Sequence, residues 1–201
     1  MNLKEKLLKL EELIRKNKPK LLNAMYNGLS GHIIIEKLKF FDVDVPDDVV
    51  TLYEWKNGTN EDSNDADELF IDGYFLNIDS SIEMYKLESK EEWNSQFFPL
   101  FIGYGGVVTL IDVIKDSINF NKIFFYDPTS GGTNITHGKC LIGYCDSLEN
   151  LIDSVIECYE RGVYKIDSES GEMIIDWDLY REIYIKNNPN SEYWNSSGED
   201  H

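Results

Sequence analysis

Cysteine is scarce in this sequence. The 201 residues include only Cys140, Cys145 and Cys158. An odd number of cysteines argues against the disulfide framework that stabilises small secreted domains. None of the three belongs to a Cys-x-x-Cys knuckle, so a structural zinc site is not indicated either. We therefore expect three buried thiols in a protein of the reducing cytoplasm.

Basic residues are also few. Lys and Arg number 19 against 37 Asp and Glu, so the net charge is −18 and the pI is about 4.4. A charge this negative disfavours binding to nucleic acid or to an anionic membrane surface. No apolar run approaches the ~18 residues that a membrane span needs, and the first residues are too densely charged for a signal peptide. The same charge favours fast association with a basic partner.

The residue patterns of common enzyme and metal sites are missing. Histidine occurs only three times, and neither a Gly-x-Ser-x-Gly elbow nor a P-loop is present. An EF-hand loop that starts at Asp62 fails, because Ala66 takes its fifth position and Gly73 its twelfth. The sequence therefore predicts no catalytic residue, no metal and no cofactor. A carbohydrate-active enzyme with an acidic cleft stays open as an alternative, built on Asp112, Asp127, Asp176 and Asp178.

The predicted helices lie mainly in the first and last thirds of the chain. A first helix is indicated by an apolar stripe at Leu3, Leu7, Leu10 and Ile14. Residues 21–31 are predicted as a connector, after which Ser30 caps a second helix. Pro46 starts a further helix, which Asn57-Gly58 ends by a left-handed cap. Two capping boxes start later helices, at Ser80 with Glu83 and at Asp146 with Glu149. A last helix is predicted from about residue 178 to residue 186.

The middle of the chain has the period of strands. Two strands meet at the turn 103–106, and two more are predicted at 122–127 and 138–145. Further hairpins are predicted around Asp72-Gly73 and around Ser170-Gly171. We therefore predict an α+β fold with one domain over residues 1–194, formed by a mainly antiparallel sheet with helices packed on one face. The domain would end in a hairpin–helix extension, followed by a disordered tail at 195–201.

Two segments resemble the SUKH superfamily. The first is "VDVPDDVVTLYEWKNGTN", with a proline-initiated helix, aromatic residues near its end and an Asn-Gly pair. In this chain those residues are Pro46, Leu52, Tyr53, Trp55, Asn57 and Gly58. The second segment, "FFPLFIGYGGVVTLIDV", is similar to the family's glycine-joined strand pair. Its matching residues are Pro99, Ile102, Gly103, Gly106, Leu110 and Asp112.

The resemblance implies a binding protein. The superfamily contains fungal regulators of cell-wall synthesis and bacterial immunity proteins that bind and neutralise toxin domains, often nucleases. We therefore expect a cytoplasmic immunity protein, a monomer or weak dimer, whose partner is a cognate and basic protein toxin domain. An intracellular regulator or scaffold with a partner from the same cell is the alternative that the fungal members imply.

A run of carboxylates is the candidate contact patch. Its residues are Glu61, Asp62, Asp65, Asp67 and Glu68. Exposed Trp93 or Tyr104 would serve as an aromatic anchor beside the patch. The competing interpretation is that these acids belong to a variable, solvated loop.

Overall fold

A computed structural model of the chain describes residues 1–39, 45–60, 62–66, 73–88, 93–128, 140–166 and 173–196. The helices are α1 Leu3–Asn17, α2 Pro19–Ala24, α3 Gly31–Leu38, α4 Asp47–Trp55, α5 Ile78–Glu88, α6 Leu148–Glu160, α7 Trp177–Asn187 and α8 Glu192–Asn195. The strands are β1 Met25–Asn27, β2 Lys56–Thr59, β3 Tyr74–Phe75, β4 Phe97–Ile102, β5 Val108–Asp112, β6 Ile123–Asp127, β7 Cys140–Cys145, β8 Tyr164–Ile166 and β9 Met173–Ile175.

A five-stranded antiparallel sheet lies at the centre of the fold. Its strand order is β3-β4-β5-β6-β7, so each strand pairs with the next one along the chain. The predicted turn joins β4 to β5, because Gly105 and Gly106 adopt positive φ angles of 73° and 83°. Two smaller antiparallel pairs, β1 with β2 and β8 with β9, complete the strands of the described residues. The predicted α+β fold with an antiparallel sheet is confirmed.

The main hydrophobic core lies between the helices and one face of this sheet. The apolar stripe of α1 is fully buried in it, together with Tyr53 of α4, Phe98 of β4 and Val155 of α6. The start of α1 is fixed by a capping box, in which Asn2 Oδ1 accepts from the Glu5 amide and Glu5 Oε2 accepts from the Asn2 amide, both at 3.0 Å. The first helix and its buried stripe are therefore as predicted.

The opposite face of the sheet carries a second, smaller apolar cluster. Its buried members are Trp93, Phe97, Val108, Leu110, Phe124 and Tyr126. Neighbouring residues of a strand point to opposite faces, so Leu110 belongs to this cluster while Ile111 belongs to the main core. Both faces of the sheet are therefore apolar at its centre.

Several predicted boundaries are wrong. Residues 21–31 are not a plain connector, because they contain the second half of α2 and the whole of β1. The capping box predicted at Ser80 does not start α5. The N-terminal cap is Asn77, whose Oδ1 accepts from the Ser80 amide at 2.9 Å. The capping box predicted at Asp146 does not start α6. The N-terminal cap is Ser147, whose Oγ accepts from the Asn150 amide at 3.1 Å. In both helices a suitable oxygen lies in a neighbouring residue and fixes a different start. Ser30 is at the N-cap of α3 without a side-chain hydrogen bond.

The Asn57-Gly58 pair does not cap α4 as predicted. Helix α4 ends at Trp55, and both residues lie in β2. Asn57 Oδ1 accepts from the amide of Ile78, the first residue of α5, at 3.1 Å. Gly58 has a φ of +88° and lies directly against the backbone of Asn77. The pair therefore joins β2 to the start of α5.

Two predicted hairpins and the predicted tail lie at the ends of the described ranges. The strands of the hairpin around Ser170-Gly171 pair as expected, as β8 and β9. The first arm of the hairpin around Asp72-Gly73 lies outside the described residues. Asn195, assigned to the tail from the sequence, is the last residue of α8, and residues 197–201 lie outside the description.

We expect the stabilisation of the fold by the Tyr53 hydroxyl to depend on pH. The group is fully buried, donates to the Leu76 carbonyl at 3.2 Å and lies 2.8 Å from Ser81 Oγ. Burial raises the pKa of Tyr53 well above its usual range, and the hydrogen bond with Ser81 opposes that shift only in part. Tyr53→Phe should therefore cost about 1 kcal/mol at neutral pH.

The pH dependence of this variant follows from the direction of the shift. The folded state holds the proton more tightly than the unfolded state, in which the pKa of tyrosine is about 10. The contribution of Tyr53 to the free energy of unfolding is therefore present in full below about pH 10. It falls as the pH rises further, because the unfolded chain then loses the proton first. The gap in unfolding free energy between wild type and Tyr53→Phe should therefore narrow between about pH 9 and about pH 11. Urea unfolding across this range measures it. A gap that stays constant would contradict the assignment.

Candidate partner-binding surface

The acidic run begins directly after β2. Asp62 is exposed and Asp65 is half-buried, whereas Glu61, Asp67 and Glu68 lie outside the described residues. The Asp62 amide donates to Asn60 Oδ1, and the Asp65 amide donates to Ser63 Oγ, each at 3.2 Å. These local bonds use the backbone amides, so the two carboxylates remain available to another molecule. The role of the five acids as a contact patch stays a prediction.

The two proposed aromatic anchors differ in exposure. Tyr104 is 79% exposed at the tip of the β4–β5 turn, as expected. Trp93, expected to be exposed, is only 6% exposed. Its ring packs edge-on against Tyr126 in the second apolar cluster, with the ring centres 5.3 Å apart. The exposure predicted for Trp93 is therefore wrong. Its ring is buried because it packs against the apolar residues on the second face of the sheet.

A cleft of about 400 Å³ lies between α1 and α4. We call it the α1–α4 cleft, and its lining residues are Lys4, Leu8, Glu11, Leu29, Thr51, Glu54 and Trp55. Leu8 is 54% exposed on α1. Trp55 is fixed in place because its indole Nε1 donates to Glu11 Oε2 at 3.0 Å. An apolar wall with a few placed polar groups is typical of binding sites.

Close backbone contacts set the end of this cleft. The Leu29 amide donates to the Tyr53 carbonyl at 3.0 Å, which holds the segment 28–31 on α4. A Cβ atom at Gly28 would lie only 1.8 Å from the Glu54 carbonyl oxygen. The approach is therefore possible only because residue 28 has no side chain. It places Leu29 beside Trp55 in the cleft.

Charge in the cleft is predominantly acidic. Glu11 is already paired, with Arg15 at 2.8 Å and Lys56 at 3.5 Å. Glu54 is exposed, and no cation among the described residues pairs with it. A basic group of a partner could therefore reach Glu54 without displacing an existing ion pair.

The cleft lies at one end of a small sheet, and the acidic run follows the other end in the chain. In the β1–β2 pair, Asn27 lies opposite Lys56 at the cleft end, and Met25 lies opposite Thr59 at the other end. Three residues of strand separate these ends, or about 10 Å. Tyr26, which is 44% exposed, lies between them. Tyr26 and the cleft thus lie along the same small sheet, whose other end leads in the chain to Asp62 and Asp65.

Metal and membrane features are absent from the described parts of the chain. No group of three or more His, Cys, Asp or Glu side chains within them could hold a metal ion. No helix among the described residues is long and apolar enough to cross a membrane.

Cys145 and Cys158 are buried, as predicted for core thiols, and the side chain of Cys140 is outside the description.

Comparison with known proteins does not assign a family. No family model matches the chain, and a search of curated proteins finds no match. Membership of the SUKH superfamily therefore remains a prediction from the two segments quoted above.

Proposed function

We propose that this protein is a cytoplasmic immunity protein of SUKH type, which binds a basic toxin domain and neutralises it without turnover. The observation that carries the proposal is the charge of −18, together with a partly apolar cleft in which Glu54 is exposed and has no cation paired with it among the described residues. The resemblance of the helix–Asn–Gly segment to the superfamily supports the same function. A nuclease toxin needs a basic surface for phosphate, and an acidic protein can occupy that surface.

Electrostatics would act mainly on the speed of binding. Complementary charges steer two proteins together and raise the association rate, and salt screens this effect. Speed is valuable for an immunity protein, because a toxin that acts before capture damages the cell. The apolar cleft would act on the lifetime of the complex, since buried aromatic and aliphatic contacts near the centre of an interface determine dissociation.

Removing the acidic patch should slow association. The variant changes five residues to alanine, namely Glu61, Asp62, Asp65, Asp67 and Glu68. At low salt we expect the association rate with the partner to fall about tenfold or more, and the slope of the rate against salt to flatten. Stopped-flow or surface-based kinetics at several salt concentrations measure both quantities.

A second five-fold variant controls for net charge. It changes exposed acids outside the patch, namely Glu36, Glu83, Asp116, Glu160 and Asp178. Both variants lose the same charge, so only a local contact makes the patch variant slower. Equal rates for the two variants would show that the acids act through net charge alone. A patch variant with the rate and salt slope of wild type would exclude the patch.

Shortening Leu8 should speed dissociation instead. Leu8→Ala removes apolar contact from the α1–α4 cleft and leaves the charge unchanged. We expect about a fivefold to thirtyfold loss of affinity, mostly in the dissociation rate. Leu87→Ala is the matched control, because Leu87 is 64% exposed on α5. Equal affinities for the two variants would mean that the partner does not contact the α1–α4 cleft at Leu8.

The partner itself can be found by capture. The protein serves as bait in a lysate of the source organism, first at low salt and then at high salt, and mass spectrometry identifies what is retained. The proposal expects one stoichiometric basic protein that is toxic when expressed alone and whose retention weakens at high salt. Recovery of only non-toxic proteins of the same cell would favour the regulator instead.

A further inference from the structure

A second cleft, of about 520 Å³, lies between α7 and α8. We call it the α7–α8 cleft, and its lining residues are Trp177, Asp178, Tyr180, Arg181, Tyr193 and Trp194. Its volume falls within the range of small-molecule sites. It is formed by other elements than the α1–α4 cleft, and the proposed function makes no use of it.

The walls of this cleft are aromatic. Trp177 is 59% exposed, and its ring meets Tyr180 edge-on with the ring centres 5.7 Å apart. Tyr193 and Trp194 are half-buried and meet at 4.7 Å and 77°. Trp194 also packs against Tyr180 at 5.5 Å. Trp177 therefore presents an open ring beside rigid walls, which binds a flat apolar surface at a low cost in entropy.

Two oppositely charged side chains accompany the rings. Asp178 and Arg181 are three residues apart on α7 and so lie on the same side of the helix. Asp178 is exposed, and no cation among the described residues pairs with it. Arg181 Nη2 donates to the Ser196 carbonyl at 3.1 Å, which holds the guanidinium in place while other N–H groups remain. The cleft thus offers an acceptor and a donor next to an aromatic ring.

We propose that the α7–α8 cleft binds a neutral sugar ring. A pyranose has a face of C–H groups that can pack on the Trp177 indole. Its hydroxyl groups both donate and accept hydrogen bonds, so one ring can donate to Asp178 and accept from Arg181. A net anion is attracted by Arg181 but repelled by Asp178, and a net cation the reverse, so the cleft gives neither sign of charge an advantage over a neutral ligand. A wholly apolar ligand would take both charges out of water without partners.

The arrangement fits binding rather than hydrolysis. Glycosidases of the usual kinds use two carboxyl groups on either side of the bond that breaks. Among the described residues that line the cleft, Asp178 is the single carboxylate. The carbohydrate-active enzyme considered from the sequence stays a separate prediction.

Titration with maltotriose, cellotriose and chitotriose tests the proposal. The readout is the indole N–H signal of Trp177 in a proton–nitrogen NMR spectrum, assigned by its loss in Trp177→Leu. We expect a saturable shift with at least one of the three sugars at concentrations up to about 20 mM. No shift of this signal with any of the three would overturn the proposal.

Three variants test the roles of the side chains. Trp177→Leu should abolish binding, as followed on the Trp194 indole signal. Asp178→Asn and Arg181→Gln should each weaken binding about tenfold, because each removes a charge-assisted hydrogen bond. Leu87→Ala, on α5 and in neither cleft, should bind as wild type does. Unchanged binding by Trp177→Leu would overturn the proposal. The test needs no toxin, so its failure would leave the proposed immunity function unaffected.

Discussion

Replacing Gly58 with alanine should destabilise the protein by more than about 3 kcal/mol, enough to unfold a marginally stable domain. The backbone at Gly58 has a φ of +88°, which alone costs an L-residue roughly 1–2 kcal/mol. A Cβ atom there would also lie 2.3 Å from the Asn77 amide nitrogen and 2.5 Å from Asn77 Cα. Both are backbone atoms at the start of α5, so no side-chain rotation can relieve the clash.

Gly105→Ala separates the two causes. Gly105 has a comparable φ of +73°, but a Cβ atom there would have no other atom within 4 Å. We therefore expect Gly105→Ala to lose only the backbone term, about 1–2 kcal/mol. Urea unfolding of both variants measures the difference. If Gly58→Ala is no less stable than Gly105→Ala, the junction between β2 and α5 is not as close as described.

Replacing Asp112 with alanine should have the second large effect, a loss of about 3–5 kcal/mol. The side chain is fully buried at the end of β5. Its carboxylate accepts from Gln96 Nε2 at 2.7 Å, from the Ile114 amide at 2.9 Å and from Ser117 Oγ at 2.7 Å. Alanine would leave three donors without an acceptor. Removing one partner of a buried hydrogen bond costs the desolvation of the group that remains.

Ser117→Ala is the control for Asp112. It removes one of the three donors to the carboxylate and also the acceptor of the Asn119 amide at 3.1 Å, so we expect a loss of about 1–2 kcal/mol. Chemical unfolding gives both free energies. The free energy of unfolding should be highest for wild type, lower for Ser117→Ala and lowest for Asp112→Ala. Equal stability of the two variants would mean that the buried carboxylate contributes no more than the two hydrogen bonds of the Ser117 hydroxyl.

Features set by local periodicity could be predicted from the sequence. The α1 stripe and the β4–β5 pair follow from apolar spacing and from the glycines of the turn. The short elements α2 and β1 could not, because β1 has only three residues and exists through its pairing with β2, some thirty residues later in the chain. The same holds for Asn57-Gly58: its local signal predicts a helix end, whereas its role depends on α5.

The candidate surface could be predicted only in part. The acidic run is visible in composition, but the α1–α4 cleft combines Leu8, Leu29 and Trp55 from three separate segments. Leu8 falls outside the stripe of α1, and only the packing of α1 on α4 shows that it lines a cleft. The burial of Trp93 could not be predicted, because a tryptophan that flanks a strand gives no local sign of which face of a sheet it covers.

Co-expression with the captured partner tests the central claim most directly. Cells would express the basic partner alone, with this protein, and with the Leu8→Ala variant, and growth would be followed. The proposed function predicts that the partner alone stops growth and that wild-type protein restores it and co-purifies as a stoichiometric complex. The variant should restore growth less well. A harmless partner, or a toxic one whose effect persists although this protein is present in excess, would contradict neutralisation by binding.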